Sequence, residues 1–391
     1  MTQTLLQTLA RTYGTPLYVF DGDAFAARAA QIAKAFGPQV RLCYSIKANS
    51  FLLGCLPSQV SRLEVCSPGE LEICRALGLD PGRIVFSGLN KTPDSVAAAL
   101  DCQVGVLTAE SRKHLDLIQA AALARGVTAP VLLRLTGGDQ FGMDEDDLKA
   151  ILSRREDFPN VDFVGLHFFT GTQKTKAKKI LQELDYVNQI ADALERDYGF
   201  RIRELEYGTG LFADYFGSSP VETEAALLEQ VAPAIRASGA RFSLTVEMGR
   251  FLASTCGAYL TGVNDVKTNC GVRYVILDGG SHQLHYDGQV MGMRQPPVSV
   301  VSGGGQPEEC TLCGSLCATS DRLAQNITLP ALEPGNLVGF SRVGAYSVME
   351  GTALFLSREL PRVVLFDKAS GPRLVRDFVA TAPLNHPGSP A

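Results

Sequence analysis

The sequence predicts an α/β protein made of a (β/α)8 barrel and a second, β-rich domain. Three observations carry this. Eight short apolar segments recur between residues 25 and 257, with helical patterns between them. Beyond Gly257 the texture changes to Val, Thr and Gly with hairpin-like breaks. The chain has 391 residues, enough for one large barrel and an accessory domain.

The eight segments, in order, are 40–46 (VRLCYSI), 62–66 (RLEVC), 83–87 (RIVFS), 104–107 (VGVL), 130–135 (PVLLRL), 161–167 (VDFVGLH), 202–207 (IRELEY) and 242–247 (FSLTVE). Runs this short and apolar suit parallel strands buried on both faces. Between them apolar residues return every three or four positions over Pro68 to Leu77, Ala109 to Ala124, Thr175 to Asp197 and Val221 to Ser238, which predicts amphipathic helices. The expected barrel domain is 25–257. Later segments such as VRYVILDGG, VSVVSGG, NLVGFSRVG and RVVLF read as strands. They place residues 258–391 in the β-rich domain together with 1–24, whose LYVF at 17–20 is expected to pair with them.

Composition excludes other classes. Hydrophobic residues make up 46% and charged residues 20%, as in ordinary globular proteins rather than disordered or fibrous ones. The formal charge of −5 arises from 36 basic and 41 acidic residues mixed along the chain, so nucleic acid is not expected as a partner. No run of eighteen apolar residues exists and the start, MTQTLLQTLARTYG, has no basic-then-apolar leader, so a cytoplasmic protein without membrane contact is expected. Ten cysteines then read as reduced thiols. Cys310, Cys313 and Cys317 are spaced like metal ligands, but the nearest histidines, His282 and His285, lie far upstream, and no metal is expected.

In a barrel of this kind, chemistry collects where strands meet their following loops. The first strand ends at Lys47, where an ammonium beside an apolar run needs a partner or a task. The sixth ends at His167 and Phe169, and the seventh at Gly208-Thr209-Gly210, a turn that lets backbone N–H groups approach an anion. The eighth ends at Glu247, followed by Gly249 and Arg250. An amine, a glycine-rich turn and a carboxylate around one mouth are the parts needed to hold a phosphorylated aldehyde cofactor.

At this point the motifs become specific: Tyr44-Ser45-Ile46-Lys47-Ala48-Asn49, Ser67-Pro68-Gly69-Glu70-Leu71, Phe141-Gly142-Met143, Gly171-Thr172-Gln173, Glu247-Met248-Gly249-Arg250, Cys317 to Asp321, and Gly344-Ala345-Tyr346. In this order they resemble the pyridoxal-phosphate decarboxylases of the alanine racemase fold (fold type III), the diaminopimelate and ornithine decarboxylase family, over nearly the whole chain. The resemblance implies that Lys47 carries pyridoxal 5'-phosphate and that Glu247 partners the pyridine nitrogen. It places Phe169 on the cofactor ring with His167 nearby, and forms the phosphate cup from Gly208, Thr209, Gly210, Gly249, Arg250 and Tyr346. It further implies that Cys317 enters the active site of a second subunit as proton donor, and hence a homodimer.

The departures from that family concern the substrate. The family's His-Ile-Gly-Ser-Gln is Phe169-Thr170-Gly171-Thr172-Gln173 here, so the stacking residue loses its polar edge. The glutamate that follows the catalytic cysteine and pairs a distal ammonium is Ala318. After Leu277-Asp278-Gly279-Gly280 the arginine for a distal carboxylate is missing, and the chain reads Ser281-His282-Gln283-Leu284-His285-Tyr286. His282, His285, Ala318 and Asp321 are therefore the substrate-side candidates. The pattern is closer to the branch of L-glutamyl-[acyl-carrier protein] decarboxylases, and a masked distal end is expected, in secondary metabolism, with an acyl-carrier protein as a partner. Decarboxylation of free diaminopimelate, lysine or ornithine is the alternative. A racemase or epimerase ranks lower, because racemases of this fold place an arginine on the pyridine nitrogen where this chain has Glu247. A non-catalytic cofactor-binding barrel ranks lower still, since such proteins usually lack the β-rich domain.

Overall fold

The computed structural model describes residues 1–217 and 221–388. An N-terminal helix α1 (Gln3–Tyr13), capped by the Thr2 side chain, leads into strand β1 (Leu17–Asp21), every residue of which is buried. Asp21 then caps α2 (Gly22–Phe36), and the chain enters the barrel.

Eight parallel strands close on themselves in chain order: β2 (Arg41–Ser45), β3 (Val60–Val65), β4 (Ile84–Phe86), β5 (Val106–Ala109), β6 (Ala129–Leu135), β7 (Val161–Phe169), β8 (Glu204–Gly208) and β9 (Ser243–Met248). Closure is by β2 on β9, with Cys43 opposite Glu247. The helices between them are α3 (Pro68–Ala76), α4 (Pro93–Asp101), α5 (Arg112–Arg125), α6 (Glu145–Ser153), α7 (Ala177–Tyr198) and α8 (Val221–Arg241). Local chemistry sets their ends. Ser67 caps α3 with Pro68 at its first turn, Thr92 and Ser95 form a reciprocal capping box on α4, and left-handed Gly126 and Gly199 stop α5 and α7.

Most boundaries shift by a few residues from the sequence reading, and α5 begins at Arg112 rather than Ala109. The weak fourth segment runs Val106–Ala109 rather than 104–107, because Ser111 caps α5 and leaves Ala109 to the strand. Helix α8 continues to Arg241 through Pro233.

The remaining strands are β10 (Gly257–Asn269), β11 (Val272–Leu277), β12 (Val298–Ser302), β13 (Pro307–Cys313), β14 (Arg322–Pro330), β15 (Leu337–Ser341), β16 (Arg362–Asp367) and β17 (Gly371–Arg376). With β1 they make a nine-stranded sheet in the order β14-β13-β11-β10-β1-β16-β17, while β15 joins β10 to β12. The segment at 17–20 does pair with the later strands: Leu17 lies opposite Leu260 in antiparallel register and opposite Arg362 in parallel register. Tyr18 and Tyr259 are fully buried there. Their hydroxyls donate to the Gln283 backbone oxygen and to Gln283 Oε1 at 2.5 and 2.6 Å, so neither aromatic strands a polar atom.

The sheet is tied to the barrel beside Lys47. The Tyr346 N–H donates to the Ala48 carbonyl at 2.6 Å, Asn49 Nδ2 donates to the Gly344 carbonyl at 3.0 Å, and the Tyr44 hydroxyl donates to the Asn49 carbonyl at 2.9 Å. Tyr44 to Asn49 is therefore both the end of a strand and the seam between barrel and sheet. Among the described residues no helix is long and apolar enough to cross a membrane.

Candidate active site

Lys47 sits in a single 3-10 turn, Ile46–Ala48, directly after β2. Its Nζ lies 2.7 Å from Glu64 Oε2, 3.7 Å from Glu247 Oε1 and 3.5 Å from Cys66 Sγ. Burial favours the neutral amine, but Glu64 and Glu247 outweigh it and hold the amine protonated, well above the usual lysine range.

Glu247 is the penultimate residue of β9 and is 9% exposed. Ser45 Oγ donates to its Oε1 at 2.7 Å, and His167 Nε2 lies 3.2 Å from Oε2. Burial opposes its charge, yet Lys47 and His167 together hold the carboxyl well below the ordinary carboxylate range, so it is an anion. Glu206, on the neighbouring strand β8, is the opposite case. It is 1% exposed, neither of its oxygens has a hydrogen-bond partner, and burial beside Glu247 and Glu64 raises it well above that range. Both groups face the same barrel interior, and their pKa values are pushed apart.

Glu206 carries a proton in the folded chain that it loses when unfolded at neutral pH. The charge-linked part of its burial cost is therefore absent below the unfolded value and grows as pH rises above about 4.3. Glu206→Gln should accordingly raise the melting temperature relative to the parent at pH 7.5 and not at pH 4. A parallel melting series at the two pH values checks it.

A cavity of about 340 Å3 opens above these groups. Lys47, Phe169, Thr209, Gly210, Glu247, Gly249, Arg250 and Tyr346 all line it. Gly208 lies opposite Phe169 in the β7–β8 register, and His167 is buried beneath the floor on Glu247. Two glycines keep the cavity open. Gly210 has φ +60°, and a Cβ there would fall 2.0 Å from the Gly171 carbonyl oxygen. At Gly249 a Cβ would press on Ala48 Cβ at 3.0 Å and the Tyr346 hydroxyl at 3.2 Å. Arg250 Nη1 donates to the Tyr215 hydroxyl at 2.9 Å, and its guanidinium lies over the Tyr346 ring, 4.4 Å from the centroid. Tyr346 itself adopts φ +67°, a costly conformation for a tyrosine, held by the bond to Ala48.

An amine facing an anionic carboxylate, an aromatic wall at Phe169 and a glycine-lined rim fit pyridoxal phosphate. Lys47 would be the amine for the aldehyde and Glu247 the carboxylate for the ring nitrogen, and the cradle at Gly208 to Gly210 and Gly249 would leave room for the phosphate. The family described as "Pyridoxal-dependent decarboxylase, pyridoxal binding domain" matches residues 23–254. The chain belongs to this family. It is thus a pyridoxal-phosphate-dependent decarboxylase, a carboxy-lyase.

The decarboxylase is 30% identical to the L-glutamyl-[BtrI acyl-carrier protein] decarboxylase of Niallia circulans over 93% of this chain and 91% of that one. It is also 30% identical to the diaminopimelate decarboxylase of Pseudomonas aeruginosa over 87% and 85%. In structure it superposes on diaminopimelate decarboxylase from Helicobacter pylori complexed with L-lysine, with a TM-score of 0.85 at 24% identity over 97% and 98% of the two chains. That likeness shows the shared fold.

The substrate-side candidates do not meet in the 340 Å3 cavity. Cys317 is exposed and, with Ala318 and Asp321, lines a separate and larger cavity of about 510 Å3 beside Lys267 and Arg322. Its size does not make it the reaction site of this chain, because it holds neither Lys47 nor Glu247. Asp321 is an anchor: its carboxylate accepts from Ser281 N at 2.7 Å and Leu316 N at 2.8 Å, fixing the loop that presents Cys317. His282 is 2% exposed with neither ring nitrogen partnered, and it borders a third cavity with Asp278 and Arg358. His285 pairs with Glu350 at 3.3 Å, and Glu350 does line the main cavity. Tyr286 is buried with its hydroxyl donating to the Ser341 carbonyl.

Sequence reasoning missed Glu64, Ser45 and Glu206. A glutamate at the centre of an apolar parallel strand, as in RLEVC and RELEY, was the available signal.

Proposed function

We propose that this decarboxylase removes the α-carboxylate of an amino acid whose distal end is masked, as an aminoacyl thioester on an acyl-carrier protein or as an amide conjugate. The observation that carries the reading is the pair of departures at Ala318 and at Ser281 to Tyr286. Ala318 offers no charge for a distal ammonium. Tyr286 is buried among Tyr215 and Phe216 with its hydroxyl already spent on the backbone. Arg250, the guanidinium on the cavity wall, is engaged by Tyr215 and by Asp287 at 3.7 Å. A free zwitterionic distal end finds no carboxylate at 318 and no arginine over 281–286, and a charge left without its partner is costly in a desolvated pocket. The Niallia circulans relative is named for a glutamyl group on a carrier protein, which supports the carrier-bound form.

Bound in the cavity, pyridoxal phosphate supplies the electron-withdrawing ring that takes up the electron pair released with CO2. In this reading Lys47 is the amine that holds the cofactor, and Glu64 at 2.7 Å takes or returns the proton on Nζ. Glu247, kept anionic by Lys47 and His167, keeps the pyridine nitrogen protonated. Phe169 covers the ring face and excludes water. Gly208 to Gly210 with Gly249, Arg250 and Tyr346 form the rim that receives the phosphate. Cys317 protonates the carbon that has lost CO2. Because Cys317 lines a different cavity from Lys47 in the single chain, it acts from a second copy, in a homodimer with shared sites. The barrel at 25–257 and the β-rich domain made of 1–24 and 258–391 divide the labour, the first holding the cofactor and the second supplying Cys317 and Tyr346. All ten cysteines are free, which suits a cytoplasmic enzyme.

The diaminopimelate decarboxylase relatives favour a second reading, decarboxylation of a free diamino acid. Mass-spectrometric screening of free amino acids, amide conjugates and carrier-bound aminoacyl groups separates the two. Loss of CO2 from the masked substrates alone is the expected outcome. Inversion at Cα without loss of CO2 would make the enzyme an epimerase.

A further inference from the structure

Helix α7 turns a stripe of Ile180, Leu184 and Val187 into the core, and on that stripe stands a carboxylate, Glu183, 8% exposed. Three donors converge on it. Thr170 Oγ1 donates to Oε1 at 2.5 Å, and Lys174 Nζ and the Tyr207 hydroxyl each donate to Oε2 at 2.6 Å.

Two of the donors belong to the loop after β7, and the third, Tyr207, stands on β8 just before the glycine rim of the cofactor cavity. Thr170 directly follows Phe169, and Tyr207 directly precedes Gly208 to Gly210. Lys174 joins the loops at the backbone as well: its N–H donates to the Gly210 carbonyl at 2.8 Å, and its own carbonyl accepts from Phe212 N at 3.2 Å. The Lys174 ammonium also lies 5.8 Å from the centroid of the Phe169 ring. One buried carboxylate thus spans the aromatic wall and the glycine rim without lining the cavity itself.

We propose that Glu183 is a positioning residue that locks the Phe169–Gln173 and Gly208–Leu211 loops into the geometry that receives pyridoxal phosphate. It acts through Thr170, Lys174 and Tyr207. Without it the Lys174 ammonium, whose side chain is 2% exposed, loses its counter-charge in the interior and pulls the loop toward water. The cofactor must then order both loops as it binds, and affinity falls by the cost of that ordering. This holds whichever amino acid the enzyme decarboxylates.

The test uses full-length protein freed of cofactor, in the parent, Glu183→Gln and Thr170→Val forms, titrated with pyridoxal phosphate by protein fluorescence. Melting temperatures are taken with and without the cofactor. The expected result is a dissociation constant raised about tenfold or more for Glu183→Gln and about threefold for Thr170→Val, with a smaller cofactor-induced rise in melting temperature in both. A merely structural role would lower the melting temperature of free and loaded protein alike and leave the dissociation constant within about twofold, and that result overturns the proposal. If Glu183→Gln does not fold, Thr170→Val, which removes one donor from a half-buried loop position, decides by the same two readings.

Discussion

Lys47→Ala lowers decarboxylation on the order of 10³-fold or more, about 4 kcal/mol in the barrier, while the barrel stays folded. The ammonium is held by Glu64 at 2.7 Å and Glu247 at 3.7 Å, in a turn whose backbone is secured by Tyr346 and Asn49 rather than by the lysine side chain. Borohydride reduction of the parent followed by peptide mapping should place the cofactor on Lys47 and on no other lysine. Lys91 and Lys174 are the informative controls, because both are buried amines in the barrel. Lys91 is pushed down to about 8 by burial, which makes it the more nucleophilic amine at neutral pH. Cofactor recovered on Lys91 would mean that the Lys47 cavity has been misassigned.

Cys317→Ala is expected to keep cofactor binding and to lose about 10²-fold or more in turnover, as for removal of a proton donor. The more specific effect appears on mixing. Homodimers of Lys47→Ala and of Cys317→Ala are each impaired, but a heterodimer carries one site with both native groups if Cys317 crosses between subunits. Random exchange should then restore about a quarter of the parental activity. Unfolding and refolding the two variants together, against each refolded alone, reads this directly. No recovery would return Cys317 to the chain that carries it and would require its loop, pinned by Asp321, to move to the Lys47 cavity.

The barrel was legible because parallel strands buried on both faces appear as short apolar runs, and because the mouth residues fall directly after them: Lys47 after β2, Phe169 on β7, Glu247 on β9. Motif order then supplied the cofactor. What could not be read was three-dimensional convergence. Glu64 is one charge in an apolar strand until the barrel closes and turns it toward Lys47. Glu206 looks like Glu204 and, two residues on, shares its face of the strand, yet it sits one layer further along the barrel, so that Glu204 meets Arg41 and Arg62 while Glu206 has no partner. Glu183 did leave a mark, a carboxylate on the apolar stripe of a long helix, but its partners lie on two other segments. The strand at 104–107 was displaced because the cap at Ser111, rather than hydrophobicity, decides where α5 begins. The substrate-side candidates were scattered for a related reason: within one chain, sequence neighbours of Cys317 and His282 face cavities separate from that of Lys47.

Whether the enzyme decarboxylates an amino acid with a masked distal end is read from initial rates of CO2 release from two substrates under identical conditions. These are L-glutamate carried as a pantetheine thioester and free diaminopimelate. The thioester should be turned over with kcat/KM at least about 100-fold above the free diamino acid, the scale set by leaving two distal charges without their partners at about 1.4 kcal/mol each. Efficient turnover of free diaminopimelate, on the order of 10⁴ M⁻¹s⁻¹ or better, with no preference for the thioester, would contradict it.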